Sequence, residues 1–189
     1  FDDKSKRKSL TRLIHGSLDE HWDMLCDLNS KGAGVFVTVN RTDLKGRKAK
    51  NVIAIRAVFQ EDDTKGESRP LPIIPSFIVN SSPDKYHRYM LVDDMPIDRF
   101  TPVQNRLIAD YDSDKAVKDV SRVLRLPGFF HNKAAPFMVR VVDIDSDLPY
   151  TLDEIETALP PIGSARLDPL DSTDEVLVAL KAAGLYKEA

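Results

Sequence analysis

The chain has 189 residues, of which 42% are hydrophobic and 30% charged, with a formal net charge of −3. That is enough apolar material for one globular domain with a sizeable core, and it excludes an intrinsically disordered chain. Cys26 is the one cysteine, which excludes an internal disulfide and a multi-cysteine zinc site and is consistent with a reducing, cytoplasmic compartment.

The chain opens with a basic cluster, Lys4, Lys6, Arg7, Lys8 and Arg12. No signal-like apolar core follows it, and no apolar run anywhere reaches membrane-spanning length. The start at Phe1 rather than Met reads as a domain taken from a longer chain. From about Ser9 to Asn29, Leu10, Leu13, Ile14, Leu18, Trp22, Leu25 and Leu28 recur at helical spacing, and Gly32 and Gly34 end the run. Gly34 to Asn40 alternates as a strand does. A second basic cluster follows, Arg41, Lys45, Arg47, Lys48 and Lys50. Weak overall acidity leaves room for nucleic acid, because a local basic groove suffices.

Val52 to Phe59 has the composition of a buried strand and runs into Glu61, Asp62 and Asp63. If the strand continues, Glu61 and Asp63 share a face and Asp62 points away. If it has already ended, Asp62 and Asp63 form the effective pair. Gly66, Pro70, Pro72 and Pro75 mark a loop. Ser76 to Asn80 and Tyr86 to Val92 are two predicted strands joined by a Ser-Ser-Pro-Asp turn. Helices are predicted at Pro102 to Tyr111 and Lys115 to Leu124, a strand at Phe137 to Ile144, and helices at Leu152 to Leu159 and Thr173 to Ala183, with Pro160 to Asp171 as a linker. Strand hairpins with flanking helices make the fold class α+β.

Three patches carry candidate chemistry. Glu61 and Asp63 at a strand end, with Asp119 from a second element, can hold divalent metal ions. His87 on a predicted strand and Arg122, Arg125 and Lys133 around a Pro127-Gly128 turn can hold phosphate oxygens. Each has a plainer reading taken alone: a solvated acidic turn, a packed histidine, an Asp119–Arg122 surface ion pair, a solvated basic face.

Together the patches resemble a known family. From about Gly34 to Val142 the chain is similar to the RepB-like primase domain, a branch of the archaeo-eukaryotic primase-polymerase superfamily found in phage, plasmid and mobile-element replication proteins. The strings that carry the resemblance are Gly34-Val35-Phe36-Val37-Thr38-Val39-Asn40, Gly46-Arg47, Arg56-Ala57-Val58-Phe59 with its acidic end, Ser81-Ser82-Pro83-Asp84-Lys85-Tyr86-His87, and Ser121-Arg122-Val123-Leu124-Arg125-Leu126-Pro127-Gly128-Phe129. The resemblance implies an α+β primase fold, with an RNA-recognition-motif-like antiparallel sheet and flanking helices.

It also implies roles. The acidic pair falls on Glu61 and Asp63, where the family more often has Asp at both, and Asp62 replaces a usually apolar residue. His87 would contact nucleotide phosphates, and Asp119 would complete the site for Mg or Mn. Met90 stands where the family often has Trp. Arg122, Arg125 and Lys133 would face the triphosphate, and Arg47 and Lys48 the single-stranded DNA template. The implied activity is a DNA primase working from nucleoside triphosphates. Residues 1–150 would form the primase domain, and 151–189 a helical extension leading toward a fused or separate helicase. A catalytically weak single-stranded or origin DNA-binding module, or a metal-dependent nuclease, would use similar residues.

Overall fold

Ser17-Leu18-Asp19-Glu20 is a capping box. The Ser17 hydroxyl accepts from the Glu20 amide at 3.3 Å, and the Glu20 carboxylate accepts from the Ser17 amide at 2.8 Å. The first helix, α1 (Leu18–Ser30), therefore starts at this cap and not near Ser9, where the apolar spacing alone placed it. Lys8–Leu10 is only a short 3-10 turn. The computed structural model describes residue 3 and residues 8–64, 68–145 and 148–159. The cations Lys4, Lys6 and Arg7, the 160–171 linker and the predicted helix at 173–183 lie outside the described residues.

The strands then follow in order: β1 (Phe36–Thr38), β2 (Arg41–Thr42), β3 (Val52–Ala54) and β4 (Ala57–Asp62). The single strand expected at Val52 to Phe59 is thus two strands, broken at Ile55-Arg56. Arg56 causes the break by turning back. Its Nε donates to Val39 O and one terminal nitrogen donates to Thr38 O, both at 2.7 Å, while its amide donates to the Asn40 side chain at 3.0 Å.

The main sheet is antiparallel, in the order β10 (Arg140–Ile144), β5 (Phe77–Ser82), β6 (Lys85–Leu91), β4. The predicted hairpin of β5 and β6 is present. Pro83 fixes one turn residue, and Asp84 takes the left-handed conformation (φ 58°) that aspartate tolerates. Separately, β1 pairs with β7 (Val123–Arg125), and β8 (Phe130–His131) pairs with β9 (Phe137–Met138). The predicted strand from Phe137 to Ile144 is accordingly split between β9 and β10.

Two helix expectations need correction. The helix α2 spans Ile97–Asp110, starting before Pro102. Proline favours a first turn, but the buried stripe Phe100, Val103 and Leu107 sets the extent of this helix, and Pro102 forgoes one internal hydrogen bond. No helix forms over residues 115–124. Carbonyls of this stretch have other partners: Val117 O accepts from Gln104 Nε2 at 3.0 Å and Val120 O from Asn40 Nδ2 at 3.0 Å, both of which a helix would need, and Arg122 O accepts from the Val39 amide at 3.1 Å. The last helix, α3 (Leu152–Ala158), is capped by Thr151 and Glu154 and buries Ile155.

The core joins Phe59, Met90, Val58 and Val79 of the sheet to Phe100 and Leu107 of α2, with Ile155 and Leu159 sealing one end. The architecture is α+β, as the sequence predicts: antiparallel sheets with flanking helices.

Candidate active site

The edge strand β4 is the foundation of the site. Its alternation turns Glu61 to one face and Asp62 to the other. Register then puts Glu61 directly across from His87 on β6, with Glu61 Oε1 and His87 Nε2 at 3.8 Å. Asp63 follows the strand, and its carboxylate accepts from Lys85 Nζ at 2.6 Å. The strand therefore continues far enough to separate the Glu61 and Asp62 side chains, the first of the two strand phases open in the sequence.

Asp62 is fully buried on the far face. It accepts from the Thr64 amide (2.9 Å) and hydroxyl (2.6 Å), from Ser68 (2.8 Å) and from Arg88 (2.7 Å). Burial opposes its ionisation, but the hydrogen bonds from Thr64, Arg88 and Ser68 outweigh burial and hold its pKa at about 2. Four donors already use this carboxylate, so it is part of the framework behind Glu61.

An edge strand has bare peptide groups, and here side chains cover them. Gln104 of α2 donates to Phe59 O at 3.1 Å and accepts from the Phe59 amide at 3.0 Å. One step along, the Glu61 amide donates to Ser113 Oγ at 3.1 Å, and the Asp114 amide donates to Glu61 O at 3.0 Å. This covering lays Asp114 beside Glu61.

The electrostatics follow from that packing. Burial raises the Glu61 pKa to about 7, and the negative charges of Asp114 and Asp63 push it the same way against the pull of Arg122 and Lys85. His87 is buried and its pKa is lowered to about 4, by burial first and then by the positive charge of Arg125. It is therefore a neutral imidazole at pH 7, and its Nδ1 is buried without a partner. Arg125 lies over the Phe36 ring at 4.7 Å.

The sequence-predicted residues divide accordingly. Glu61, Asp63, His87, Arg122 and Arg125 share one electrostatic neighbourhood. Lys133 is exposed and acts on His131, which in turn lies near Arg125. Asp119 is exposed, bonded to Arg122 at 2.7 Å and to Ser121 at 3.1 Å. Another carboxylate that presses on Glu61 is Asp114, which sequence reasoning missed. Asp114 gains its place only through the edge of β4, and nothing in its local sequence announces that contact. Arg47 and Lys48 are exposed in the loop between β2 and β3, and Arg47 lines an apolar cavity of about 430 Å³ that also includes Leu10, Leu44 and Val37 but neither Glu61 nor His87.

Among the described residues, no three His, Cys, Asp or Glu side chains gather closely enough to hold a metal ion as they stand. The donor chemistry still fits a divalent cation. Glu61 and Asp63 offer hard oxygen atoms, and a cation would relieve the like-charge pressure among Glu61, Asp63 and Asp114.

The model of one protein family, the RepB DNA-primase N-terminal domain, matches residues 7–155. No curated protein sequence matches the chain. Solved structures similar to it include two of note. One is the AEP domain of the primase-polymerase of cyanophage S-2L, with a TM-score of 0.62 and 21% identity over 73% of this chain and 76% of that one. The other is the catalytic domain of primase RepB′ in complex with initiator DNA, with a TM-score of 0.52 and 19% identity over 89% of this chain and 78% of that one. At those identities the likeness is one of fold.

Proposed function

The chain belongs to the RepB DNA-primase N-terminal domain family, and from that premise we propose that it synthesises short primers on single-stranded DNA from nucleoside triphosphates. The observation that carries the reading is the pairing of Glu61 with His87 across two strands, with Asp63 beside them and the Arg122 and Arg125 charges close by. Carboxylates that can hold cations then adjoin donors that can hold phosphates, the combination phosphoryl transfer needs.

In this reading Glu61 and Asp63, with Asp114 or Asp119 as a third carboxylate, hold divalent Mg or Mn. Such ions supply charge neutralisation at the transferring phosphoryl group. His87 donates to a triphosphate oxygen as a neutral ring, and Arg122, Arg125 and Lys133 orient the phosphate chain by charge and two-point hydrogen bonding. Arg47 and Lys48 track the template backbone. The same proposal places the protein in the cytoplasm, in the replication of a mobile element, with the chain beyond about residue 150 leading to a helicase. Among the described residues, no helix is long and apolar enough to cross a membrane.

A priming assay on single-stranded DNA, with labelled nucleotide and Mg or Mn, tests the proposal. New strands support it. Shortened DNA would mean a nuclease, and binding without synthesis would mean a DNA-binding module.

Two of the assigned roles can be tested separately. His87→Ala should weaken nucleoside triphosphate binding more than single-stranded DNA binding, because a triphosphate concentrates charge at one point while a template spreads it along a groove. Calorimetric titration of each ligand reads the difference, and equal losses would remove the dedicated nucleotide role. Neutralising Arg47 and Lys48 together should weaken single-stranded DNA binding at low salt. It should also flatten the salt dependence, by roughly 0.7 in slope for each phosphate that is no longer neutralised. Anisotropy titrations across a salt series measure this, and an unchanged slope would move the template elsewhere.

A further inference from the structure

One buried acid lies outside the set used so far. The Asp3 carboxylate accepts from both terminal nitrogens of Arg125, at 3.0 and 3.3 Å, and from the Asn132 amide at 2.9 Å. Its own amide donates to Gly32 O at 3.3 Å. The Asp3 side chain is only 7% exposed. It rests on Gly34, where an added Cβ would come within 2.6 Å of a carboxylate oxygen. A forked guanidinium, a backbone N–H and a bare glycine surface together make a seat for an oxyanion.

One further observation says that the seat is built for more than a carboxylate. The His87 Nδ1 is buried and unpartnered, and Arg125 is the charge that acts most on that ring. Buried polar atoms are normally satisfied, so an orphaned ring nitrogen under the influence of that arginine marks a place where a further ligand oxygen belongs.

We propose that Arg125, the Asn132 amide and Gly34, which puts no side chain there, form a phosphate seat, and that the Asp3 carboxylate occupies it as an intramolecular competitor. A phosphate group of the nucleoside triphosphate enters only when Asp3 leaves. This rests on the reading of Arg125 as a triphosphate ligand and adds the residue that contests it. Gly34 is then a specificity position, because any side chain there would fill the seat.

Inorganic tripolyphosphate is the probe, since its binding requires neither template nor chemistry. If Asp3 holds the seat about nine-tenths of the time, Asp3→Asn should bind tripolyphosphate about tenfold more tightly than the native chain. Gly34→Ala, which keeps an ordinary backbone conformation, should bind it more weakly. In the native chain labelled for magnetic resonance, saturating tripolyphosphate should move the Asp3 amide signal to an exposed-chain position, and this arm decides the matter if Asp3→Asn fails to fold. Equal or weaker binding by folded Asp3→Asn, an unmoved Asp3 signal at saturation, or no binding by either chain would overturn the proposal. The outcomes separate the two readings. Displacement of Asp3 in a protein that makes no primers keeps the seat and removes the primase function. Primer synthesis with Asp3 still in place does the reverse.

Discussion

Glu61→Gln should stop primer synthesis, by a factor on the order of a thousand, and at the same time make the protein more stable at pH 8. Glutamine keeps the shape of the side chain and removes its charge. Activity falls because a neutral amide cannot balance the charge at a transferring phosphoryl group. Stability rises because the fold disfavours that same charge. The Glu61 pKa is about 7 in the folded protein against an ordinary 4.5, owing first to burial and then to Asp114 and Asp63. Between those two values the folded state binds more protons than the unfolded state, so the native chain loses stability as pH rises through the window. Glu61→Gln has no such loss. Thermal melts should therefore diverge from about pH 5 upward and coincide near pH 4. A variant that is no more stable at pH 8 would show that the carboxylate is not under strain.

The same assay separates the two candidates for the third carboxylate. Asp63→Asn and Asp114→Asn should lose synthesis to a similar extent. Asp119→Asn should lose less, since Asp114 and Asp63 are the carboxylates whose charge acts on Glu61. Full loss in Asp119→Asn with a nearly active Asp114→Asn would restore Asp119 to the metal site.

Asp62→Ala should have the opposite profile, with a large loss of stability and a smaller loss of chemistry. Removing one member of a buried ion pair leaves the other charge stranded, at a cost of about 3 kcal/mol for the partly exposed Arg88. Thr64 and Ser68 lose their acceptor in the same step. Urea titration should show a midpoint well below that of the native chain. The acid limb gives a second check. Hydrogen bonds hold the folded pKa near 2 against an ordinary 3.8, so this contribution is complete above pH 3.8 and is lost as pH falls toward 2. Only the native chain should show that loss. A folded Asp62→Ala with native stability and no synthesis would make Asp62 the ligand and Glu61 the bystander.

Local order was the legible part of this sequence. The β5–β6 hairpin could be read because its turn lies between its strands, and the opposite faces of Glu61 and Asp62 followed from the period of an extended chain. The helix predicted at Lys115 to Leu124 misled, because residues 115–124 do not take their shape locally. What decides their conformation is distant: Val37 pairs with Leu124 across the β1–β7 ladder, and Gln104 takes the Val117 carbonyl. Asp114 and Asp3 were invisible for the same reason. One becomes a neighbour of Glu61 through an edge of the sheet, and the other reaches Arg125 from the start of the chain. Charge and residue type are written locally, but which charges meet is a property of the closed fold.

Gln104 has a consequence for assembly. Its primary amide offers the same donor and acceptor as a peptide group, so a single side chain stands in for a whole neighbouring strand at Phe59. Strand addition, domain swapping and runaway pairing between copies all require a naked row of peptide groups. On the flank that bears Glu61 that row is already spoken for, by Gln104 and then by Ser113 and Asp114. A stray extended chain therefore finds no template at the one border where it would smother the carboxylates.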